Sequence, residues 1–356
     1  MRTSPPKFVS VAALLFSVFI LNPSPLMAQG SLTPPGAPAP AMKTLTQVEP
    51  RTPITNAPVT ISVPGSYYLT ANLTVTNGNA ITIATNGVTL DLNGFTIVST
   101  APSATGYGIL INGWLSDLAI CNGHIRGGVT NNVNGVYSGS GFGYGINYSF
   151  AAPANARVAG VSVAGCLYDG IYLGNNDSTV AESCTVRTVG NFGIVASTIK
   201  SSVAMNCGGD GVYGEDVSDT LGESKGTGCG VSGMIAQNCY GTSASSYGIN
   251  AVTAQNCRGF SGSSHGVDTY TALNCYGIAS SGIGLYASFT AQNCYGYSSS
   301  GTGLEVGMSL NCLGYSESGT GLRFTKLGAM CRGERGSPAA FNYVNGTGLP
   351  GPVNLP

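Results

Sequence analysis

Apolar and polar residues alternate along short stretches of the chain from about residue 61 onward. The clearest stretch spans residues 80–98, where apolar residues occupy every second position within three runs separated by Asn-Gly pairs. A period of two is typical of a β-strand that buries one face, and Asn-Gly is a common turn sequence. The pattern predicts short strands joined by tight turns. The apolar residues of the three runs are Ile81, Ile83, Val88, Leu90, Leu92, Phe95 and Ile97.

An 18-residue unit repeats in the second half of the chain. The segment AQNCYGTSASSYGINAVT, residues 236–253, is followed directly by AQNCRGFSGSSHGVDTYT, residues 254–271. Each copy has Asn before a Cys, and a Gly followed by Ile or Val begins nine residues after that Cys. So short a period predicts a solenoid, because one copy cannot bury its own apolar face. The cysteines of consecutive copies are Cys239, Cys257, Cys275, Cys294, Cys312 and Cys331.

Each copy is predicted to form one coil of three short strands with a one-residue corner at Asn, because Asn and Gly accept left-handed backbone angles. Stacked coils pair parallel strand edges about 4.8 Å apart. Counting the Gly–apolar steps predicts about twelve coils and a rod of roughly 55–60 Å. Earlier copies are assigned to Cys166, Cys184 and Cys207, and Ser224 is predicted to take the Cys position of a degenerate copy.

The N-terminus has the pattern of an export signal. Arg2 and Lys7 precede an apolar run at residues 8–21, and a small residue follows at Ala28. Residues 1–28 are therefore predicted to be a signal peptide, and the run is shorter than the roughly 20 residues that span a bilayer. We expect a protein that is secreted or lies on the exterior of the cell envelope, with no membrane span after signal removal.

Three further segments follow the signal. Residues 29–55 are rich in proline, which predicts a linker or an N-terminal wrap. The repeats place the solenoid at residues 56–335. Residues 336–356 are rich in Gly and Pro and are predicted to form a tail or a cap on the last coil.

Composition narrows the classes of partner. Only 8% of residues are charged, and the formal net charge is −1. Binding to nucleic acid or to an anionic membrane needs clustered Lys and Arg, so we expect neither partner. Apolar residues make up 43% of the chain and glycine contributes 53 residues, which favours a turn-rich all-β chain over a disordered or helical one.

The segments GSYYLTANLTVTNG and GVTLDLNGFTI, the Asn corner and the repeated Gly–Ile step resemble the right-handed parallel β-helix proteins of the pectin-lyase-like superfamily. The resemblance covers roughly residues 56–331. It implies an all-β fold in which a single chain winds into a right-handed parallel β-helix. The superfamily includes polysaccharide lyases, glycoside hydrolases, esterases, phage tailspikes and adhesins, so the fold alone does not select an activity.

The eleven cysteines have two interpretations. An oxidising compartment favours disulfides, and adjacent coils bring Cα atoms within the range for such a bond. Alternatively, the cysteines form an inward column, one per coil, and pack as small apolar side chains. The shared register of the copies favours the inward column, and no CxxC or Cys–His spacing typical of zinc sites occurs.

One outward column follows the Gly–apolar step. If Ile249 and Val267 face the core, the next residue of each coil faces solvent. In carbohydrate-active members of the superfamily this sheet commonly forms the floor of the glycan cleft, so the resemblance places a candidate site here. The column is predicted to contain Tyr172, Val195, Tyr213, Ser232, Asn250, Asp268, Tyr286, Glu305 and Arg323.

Asp268 and Glu305 are the candidate catalytic carboxylates, with Arg323 one coil beyond. Two coils separate the carboxylates, or about 9.6 Å along the stack. Inverting glycosidases hold their two carboxyl groups roughly 6.5–9.5 Å apart. The alternative is that these charges only keep the surface soluble. The candidate binding residues of this column are Tyr172, Tyr213 and Tyr286.

A second outward column follows the cysteines and contains Tyr240, Arg258, Tyr276, Tyr295, Leu313 and Arg332, of which the first four are the candidate binding residues. Aromatic rings and guanidinium groups at this spacing stack well on sugar rings. Packing between neighbouring coils explains the same pattern, so both interpretations stay open.

Acidic residues concentrate between Cys207 and Ser224. Calcium takes six to eight oxygen ligands, and carboxylates supply them. The spacing matches no calcium loop with a known ligand order, so a solvated loop is the alternative. The candidate calcium ligands are Asp210, Glu215, Asp216 and Asp219.

Three functions fit these patterns: non-catalytic binding of an extracellular polysaccharide or a cell surface, a structural rod, and cleavage of a glycan by a lyase or hydrolase. His124 and His265 are the only histidines and lie many coils apart, which argues against a shared triad. The paired Asp-Asp and Arg-x-Lys elements of pectin-degrading hydrolases do not occur. The patterns favour binding or structure, with the enzyme as the alternative and the oligomeric state open. Asp is predicted to be tolerated at Ser243 and to prevent folding at Ile249.

Overall fold

The computed structural model describes residues 49–336, apart from 134, 151, 176 and 177, and the backbone of two further strands at 339–341 and 343–345. Every regular element in this part is a β-strand. The same residues include no helix long and apolar enough to cross a membrane. In chain order the strands are β1 Thr52–Ile54, β2 Val59–Ile61, β3 Gly65–Leu69, β4 Leu73–Val75, β5 Ile81–Ile83, β6 Val88–Asp91, β7 Thr96–Ser99, β8 Tyr107–Ile111, β9 Ser116–Arg126, β10 Gly128–Asn131, β11 Tyr137–Ser140, β12 Tyr144–Tyr148, β13 Ala154–Cys166, β14 Ile171–Tyr172, β15 Val180–Glu182, β16 Thr185–Val189, β17 Ile194–Val195, β18 Thr198–Lys200, β19 Val203–Cys207, β20 Val212–Ser218, β21 Leu221–Ser224, β22 Val231–Gln237, β23 Tyr240–Ser243, β24 Ile249–Gln255, β25 Arg258–Ser261, β26 Val267–Leu273, β27 Tyr276–Ala279, β28 Leu285–Gln292, β29 Tyr295–Ser298, β30 Leu304–Leu310, β31 Leu313–Ser316, β32 Leu322–Ala329, β33 Arg332–Gly336, β34 Ala339–Phe341 and β35 Tyr343–Asn345.

The strands form three parallel ladders, A, B and C, which are the three faces of a solenoid. Ladder A contains β2, β5, β8, β12, β14 and β17, the first halves of the seven long strands β20, β22, β24, β26, β28, β30 and β32, and β35. Ladder B contains β1, β3, β6, the first halves of β9 and β13, then β15, β18 and the second halves of the long strands. Ladder C contains β4, β7, the second halves of β9 and β13, then β16, β19 and the short strands from β21 to β33.

The predicted all-β parallel solenoid is confirmed, with more coils than the twelve predicted. The ladder A pairings join fourteen strands in the described part of the chain. The prediction missed coils because it counted Gly–apolar steps. Pro58 and Ala80, rather than Gly, precede the ladder A strands of the first two coils.

The interior consists of apolar columns that repeat once per coil. In one coil, Val267 of ladder A, Ala272 of ladder B and Cys275, directly before the ladder C strand, all face inward and are almost fully buried. A coil contributes few such side chains, so its stability depends on the coils stacked above and below it.

The corner between ladders B and C is an Asn in the left-handed region, as predicted. Asn256, Asn274 and Asn293 have a φ of 53°. Their side chains form a hydrogen-bonded row, in which Asn274 Nδ2 donates to Asn256 Oδ1 at 3.1 Å and Asn293 Nδ2 donates to Asn274 Oδ1 at 3.2 Å. Each coil is thereby linked to the next at the solvent-exposed corner.

The inward cysteine column is confirmed for the six regular copies. All eleven cysteines are free thiols. Cys257, Cys275 and Cys294 are at most 3% exposed and pack inside the coils. Thiols buried from solvent in this way are poor nucleophiles, which agrees with a packing role.

Three assignments within that column were wrong. Cys207 pairs with Ser224, which pairs with Ser243, so these residues form a neighbouring inward column. Ser202 and Thr220 occupy the true Cys position, since the Cys184 backbone N donates to Ser202 Oγ at 3.1 Å. The error arose because every inward position of a coil repeats with the same period, so the spacing does not identify the column. Cys166 belongs with Cys207 for the same reason.

Ser243 also differs from its predicted environment. Its side chain is 2% exposed, and its Oγ donates to the Gly228 carbonyl at 2.7 Å. The predicted tolerance of Ser243→Asp was therefore wrong, because the polar residue supports the turn from inside the coil.

The ends of the chain are described only in part. Residues 1–48, which include the predicted signal peptide, lie outside the described residues, and so does most of the predicted tail at 336–356. Within residues 29–55, β1 already pairs with β3 in ladder B. Near the C-terminus, β34 pairs antiparallel with β33, and β35 pairs parallel with β32.

One hairpin lies outside the coils. Strands β10 and β11 pair antiparallel, and the Tyr137 hydroxyl donates to Asn206 Oδ1 of ladder C at 3.1 Å. Val133, at the tip of the hairpin, is 92% exposed.

Candidate functional site

An open groove with a volume of about 420 Å³ follows the bend between ladders A and B. The long strands β20 to β28 pass from one ladder to the other without a loop, so their bends stack into a continuous floor. Gly214 and Gly233 lie at this bend, where an added Cβ would come within 2.6 Å of a backbone oxygen of the preceding coil. The lining residues are Asn175, Tyr213, Gly214, Glu215, Ser232, Gly233, Met234, Asn250, Ala251, Val252, Asp268, Thr269, Tyr270 and Ser288.

The groove has one polar and one apolar side. Ser232, Asn250 and Asp268 come from ladder A and offer hydrogen-bonding groups. Val252 and Tyr270 lie just beyond the bend, and each is about half exposed. The Tyr270 ring stacks on Phe289 with centroids 5.0 Å apart and 4° between the ring planes. A flat aromatic surface thus borders a row of polar side chains.

The first outward column has the predicted register. Asp268 pairs with Tyr286, Tyr286 with Glu305, and Glu305 with Arg323. Tyr172 and Tyr213 occupy the same column in earlier coils. The exception is Val195, which was predicted to face solvent but is 1% exposed, because the rings around it cover this coil.

The two candidate catalytic carboxylates have separate basic partners. Asp268 Oδ2 lies 2.8 Å from His265 Nδ1, and Glu305 Oε1 lies 3.5 Å from Arg323 Nη1. Tyr286 lies between the two coils that carry them. Only Asp268 of the two lines the groove, and a catalytic role for the pair stays an untested prediction.

The His265–Asp268 contact was not predicted. His265 also packs between Tyr247 and Tyr286, with ring centroids 5.3 and 5.5 Å away. The feature of the sequence that could have predicted this contact is the three-residue separation of His265 and Asp268 across the Gly–apolar step. Strand alternation does not set the direction of a residue before that step, so the contact was missed.

The side chains of the second outward column contact one another between neighbouring coils. Tyr276 and Tyr295 stack with centroids 4.8 Å apart, and the Arg258 guanidinium lies over the Tyr276 ring at 5.1 Å and over Tyr240 at 5.7 Å. Each ring covers its neighbour in the next coil. These contacts account for the residue types without a ligand, and glycan contact here stays a prediction.

The candidate calcium ligands do not converge. Asp210 accepts a hydrogen bond from the Cys229 backbone N at 2.7 Å, and burial raises its pKa. Glu215 and Asp216 are exposed on β20, and Asp219 accepts from Asn238 Nδ2 at 2.9 Å. Among the described residues, no group of three or more His, Cys, Asp or Glu side chains is arranged to hold a metal ion. Calcium binding at these residues stays an untested prediction.

Comparisons with known proteins add little to this geometry. No protein-family model matches the chain, and no curated protein matches it in sequence. Among solved structures, the chain is similar to the enzymatically active domain of tailspike protein 2 of bacteriophage CBA120, with 11% identity and a TM-score of 0.26. The match covers 84% of this chain and 42% of that domain.

Proposed function

We propose that the protein binds a neutral extracellular polysaccharide along the groove between ladders A and B, without cleaving it. The supporting observation is the two-sided lining of the groove. A sugar ring presents apolar C–H faces and hydroxyl edges. Tyr270 and Val252 suit the faces, while Asn250 and Ser232 suit the edges.

The charge of the lining supports a neutral polymer. Glu215 and Asp268 are the charged residues of the groove, and none of its lining residues is Lys, Arg or His. Carboxylates of an acidic glycan would be repelled by these two groups, and the one basic side chain beside either of them among the described residues, His265, is already engaged by Asp268.

The test is co-sedimentation of the full chain with galactomannan, xyloglucan and dextran, compared with polygalacturonate and alginate. Reducing ends and unsaturated-uronide absorbance are followed in the same samples. We expect binding to at least one neutral polymer and no rise in either cleavage signal. Absence of binding to every neutral polymer would overturn the proposal.

Matched tyrosine variants locate the site. Tyr270→Ala removes the exposed ring of the groove and is expected to weaken binding about tenfold. Tyr240→Ala removes a ring of similar exposure from the second column on ladder C and is expected to leave binding unchanged. The reverse result would move the site to the second column.

A second candidate function is cleavage of the bound glycan. It is favoured by the His265–Asp268 contact at the edge of the groove, with the Tyr286 ring beside it. If reducing ends or uronide absorbance increase, Asp268→Asn and His265→Gln are each expected to abolish the increase. Unchanged cleavage in both variants would exclude this pair as the catalytic site.

A further inference from the structure

Two of the most exposed aromatic side chains lie outside the groove, on neighbouring loops. Trp114 is 85% exposed and Phe150 is 78% exposed. Burying aromatic rings contributes strongly to folding, so rings held in solvent on two consecutive coils need another explanation.

The two loops are fixed side by side. Residues 112–115 join ladder A to ladder B in one coil, and Ser149 and Phe150 follow the ladder A strand β12 at the same point of the next coil. At one end, Ser149 Oγ donates to Asn112 Oδ1 at 2.9 Å. At the other end, the Ala154 backbone N donates to the Leu115 carbonyl at 3.0 Å.

The hydrogen bonds at both ends hold the ends of the two loops one coil step apart. Leu115 packs against the core, which leaves Trp114 on the solvent side of its loop. Trp114 and Phe150 therefore belong to corresponding loops of two adjacent coils, and both side chains are exposed.

A row of aromatic rings connects these loops with the groove. Tyr148, directly before the second loop, lies 5.6 Å from Tyr172, which lies 5.7 Å from Phe192. Phe192 in turn lies 6.4 Å from Tyr213, a lining residue of the groove. The row is continuous from the coil of Phe150 to the start of the groove.

The third loop joins the same surface. An added Cβ on Gly174 would lie 2.7 Å from the Ala152 Cβ, so this loop packs closely on the loop that carries Phe150. The next residue, Asn175, lines the groove, and its Nδ2 donates to the Tyr213 hydroxyl at 3.4 Å. All three loops occupy the same bend between ladders A and B as the groove.

We infer that Trp114 and Phe150 form an outlying subsite that stacks on sugar rings of the same neutral polysaccharide chain. The inference rests on the proposed function for the class of ligand. Eight coil steps separate Trp114 from the far end of the groove, so the site spans roughly 38 Å. A long polymer occupies both parts at once, whereas a short oligosaccharide in the groove does not reach Trp114.

The chain contains a single tryptophan, so its fluorescence reports on this subsite alone. Galactomannan, xyloglucan and dextran are each titrated into the full chain. We expect the polymer that co-sediments to shift Trp114 emission to shorter wavelength and to reduce quenching by iodide. Polygalacturonate is expected to change neither property.

Variants measure the contribution of the subsite to affinity. Trp114→Ala is expected to weaken co-sedimentation with the long polymer about tenfold, and Phe150→Ala less. Val133→Ala, at an equally exposed apolar residue on the hairpin tip, is expected to have no effect. The fluorescence titration uses the unaltered chain, so the test stands even if a variant fails to fold.

The outcomes separate the two proposals. Co-sedimentation with unchanged Trp114 emission and unchanged affinity of Trp114→Ala would overturn the subsite and leave groove binding intact. No co-sedimentation with any of the three neutral polymers would overturn the proposed function, and the subsite with it.

Discussion

Ile249 lies between Val231 and Val267, its equivalents in the two neighbouring coils, and all three side chains are fully buried. A charge at this position would contact neither water nor an oppositely charged group, because its neighbours above and below are buried aliphatic side chains. Thr253, four residues later on the same strand β24, is exposed and has no such restriction. Substitutions at Ile249 and Thr253 therefore compare a buried with an exposed position of the same strand, so the effect of burial on stability is measured separately from that of strand propensity.

Ile249→Asp is therefore expected to destabilise the fold by more than about 4 kcal/mol, because it buries an unpaired carboxylate and removes an aliphatic side chain. Thr253→Asp is the control and is expected to change stability by less than about 0.5 kcal/mol. Urea unfolding followed by far-ultraviolet circular dichroism measures both. Equal stability of the two variants would contradict the observed register of ladder A.

Asp210 gives a pH-dependent prediction. Its pKa is raised by burial, so the folded state holds its proton over a pH range where the unfolded state has released it. The contribution of this residue to stability is therefore largest below about pH 3.8 and is lost as pH rises through the folded-state pKa.

Asp210→Asn removes this dependence while keeping an oxygen that accepts from the Cys229 backbone N. The variant is expected to be more stable than the parent at pH 7, and the difference is expected to shrink as pH falls toward 3.8. Urea midpoints measured across that range test the sign. Asp216→Asn, at an exposed carboxylate on β20, serves as the control. A difference that grows on acidification would contradict the assignment.

At the scale of elements, the corner Asn sets where one strand ends and the next begins. A left-handed conformation costs most residues roughly 1–2 kcal/mol, and Asn tolerates it better than most. Asn274 has this conformation and also joins the side-chain row through Asn256 and Asn293. The contributions of the backbone conformation and of the side-chain hydrogen bonds to stability can be measured separately with two substitutions at Asn274.

Asn274→Ala loses both contributions and is expected to destabilise the protein by about 2 kcal/mol. Asn274→Gly restores the backbone freedom but not the side-chain bonds, so its cost is expected to be smaller. Thermal unfolding ranks the three proteins. If Gly is as costly as Ala, the side-chain row rather than the corner geometry determines the effect.

The sequence was sufficient for features that depend on period and backbone angle. The Gly–apolar step gave the register of ladder A, including the order Asp268, Tyr286, Glu305 and Arg323, and the Asn before each Cys gave the corner. Features that depend on how a coil bends were not predicted. The groove arises where Gly214 and Gly233 stack at a bend inside long strands, and alternation carries no information about such a bend.

The sequence pattern also did not predict the direction in which the side chains of turn residues point. His265 lies beside Asp268 because the residue before Gly266 turns toward ladder A, and a period of two does not apply to a turn residue. The exposure of Trp114 was not predicted for a related reason. Trp114 lies in a loop between ladders A and B, where the strand alternation of buried and exposed residues is interrupted. Contacts made by loops need the three-dimensional structure.

At the scale of the whole molecule, each coil pairs with the coils directly before and after it, so the solenoid is close to a one-dimensional array. Coils can therefore be removed in register. Residues 257–274 and residues 294–311 are two 18-residue units that each run from Cys to Asn, and removing either joins an Asn to the next Cys. The first unit carries Asp268, Thr269 and Tyr270 of the groove, and the second carries no groove residue.

Both deletions are expected to keep the fold, to shorten the rod by about 4.8 Å and to lower stability by similar amounts, because each removes one interface between coils. Only the deletion of 257–274 is expected to weaken co-sedimentation with the neutral polymer, by about tenfold, since it removes the aromatic side of the groove. Small-angle scattering measures the length, and co-sedimentation measures the binding. A structural spacer predicts instead that neither deletion changes any binding, because only length matters to it. Equal loss of binding in both would place the polymer along the whole rod rather than in the groove.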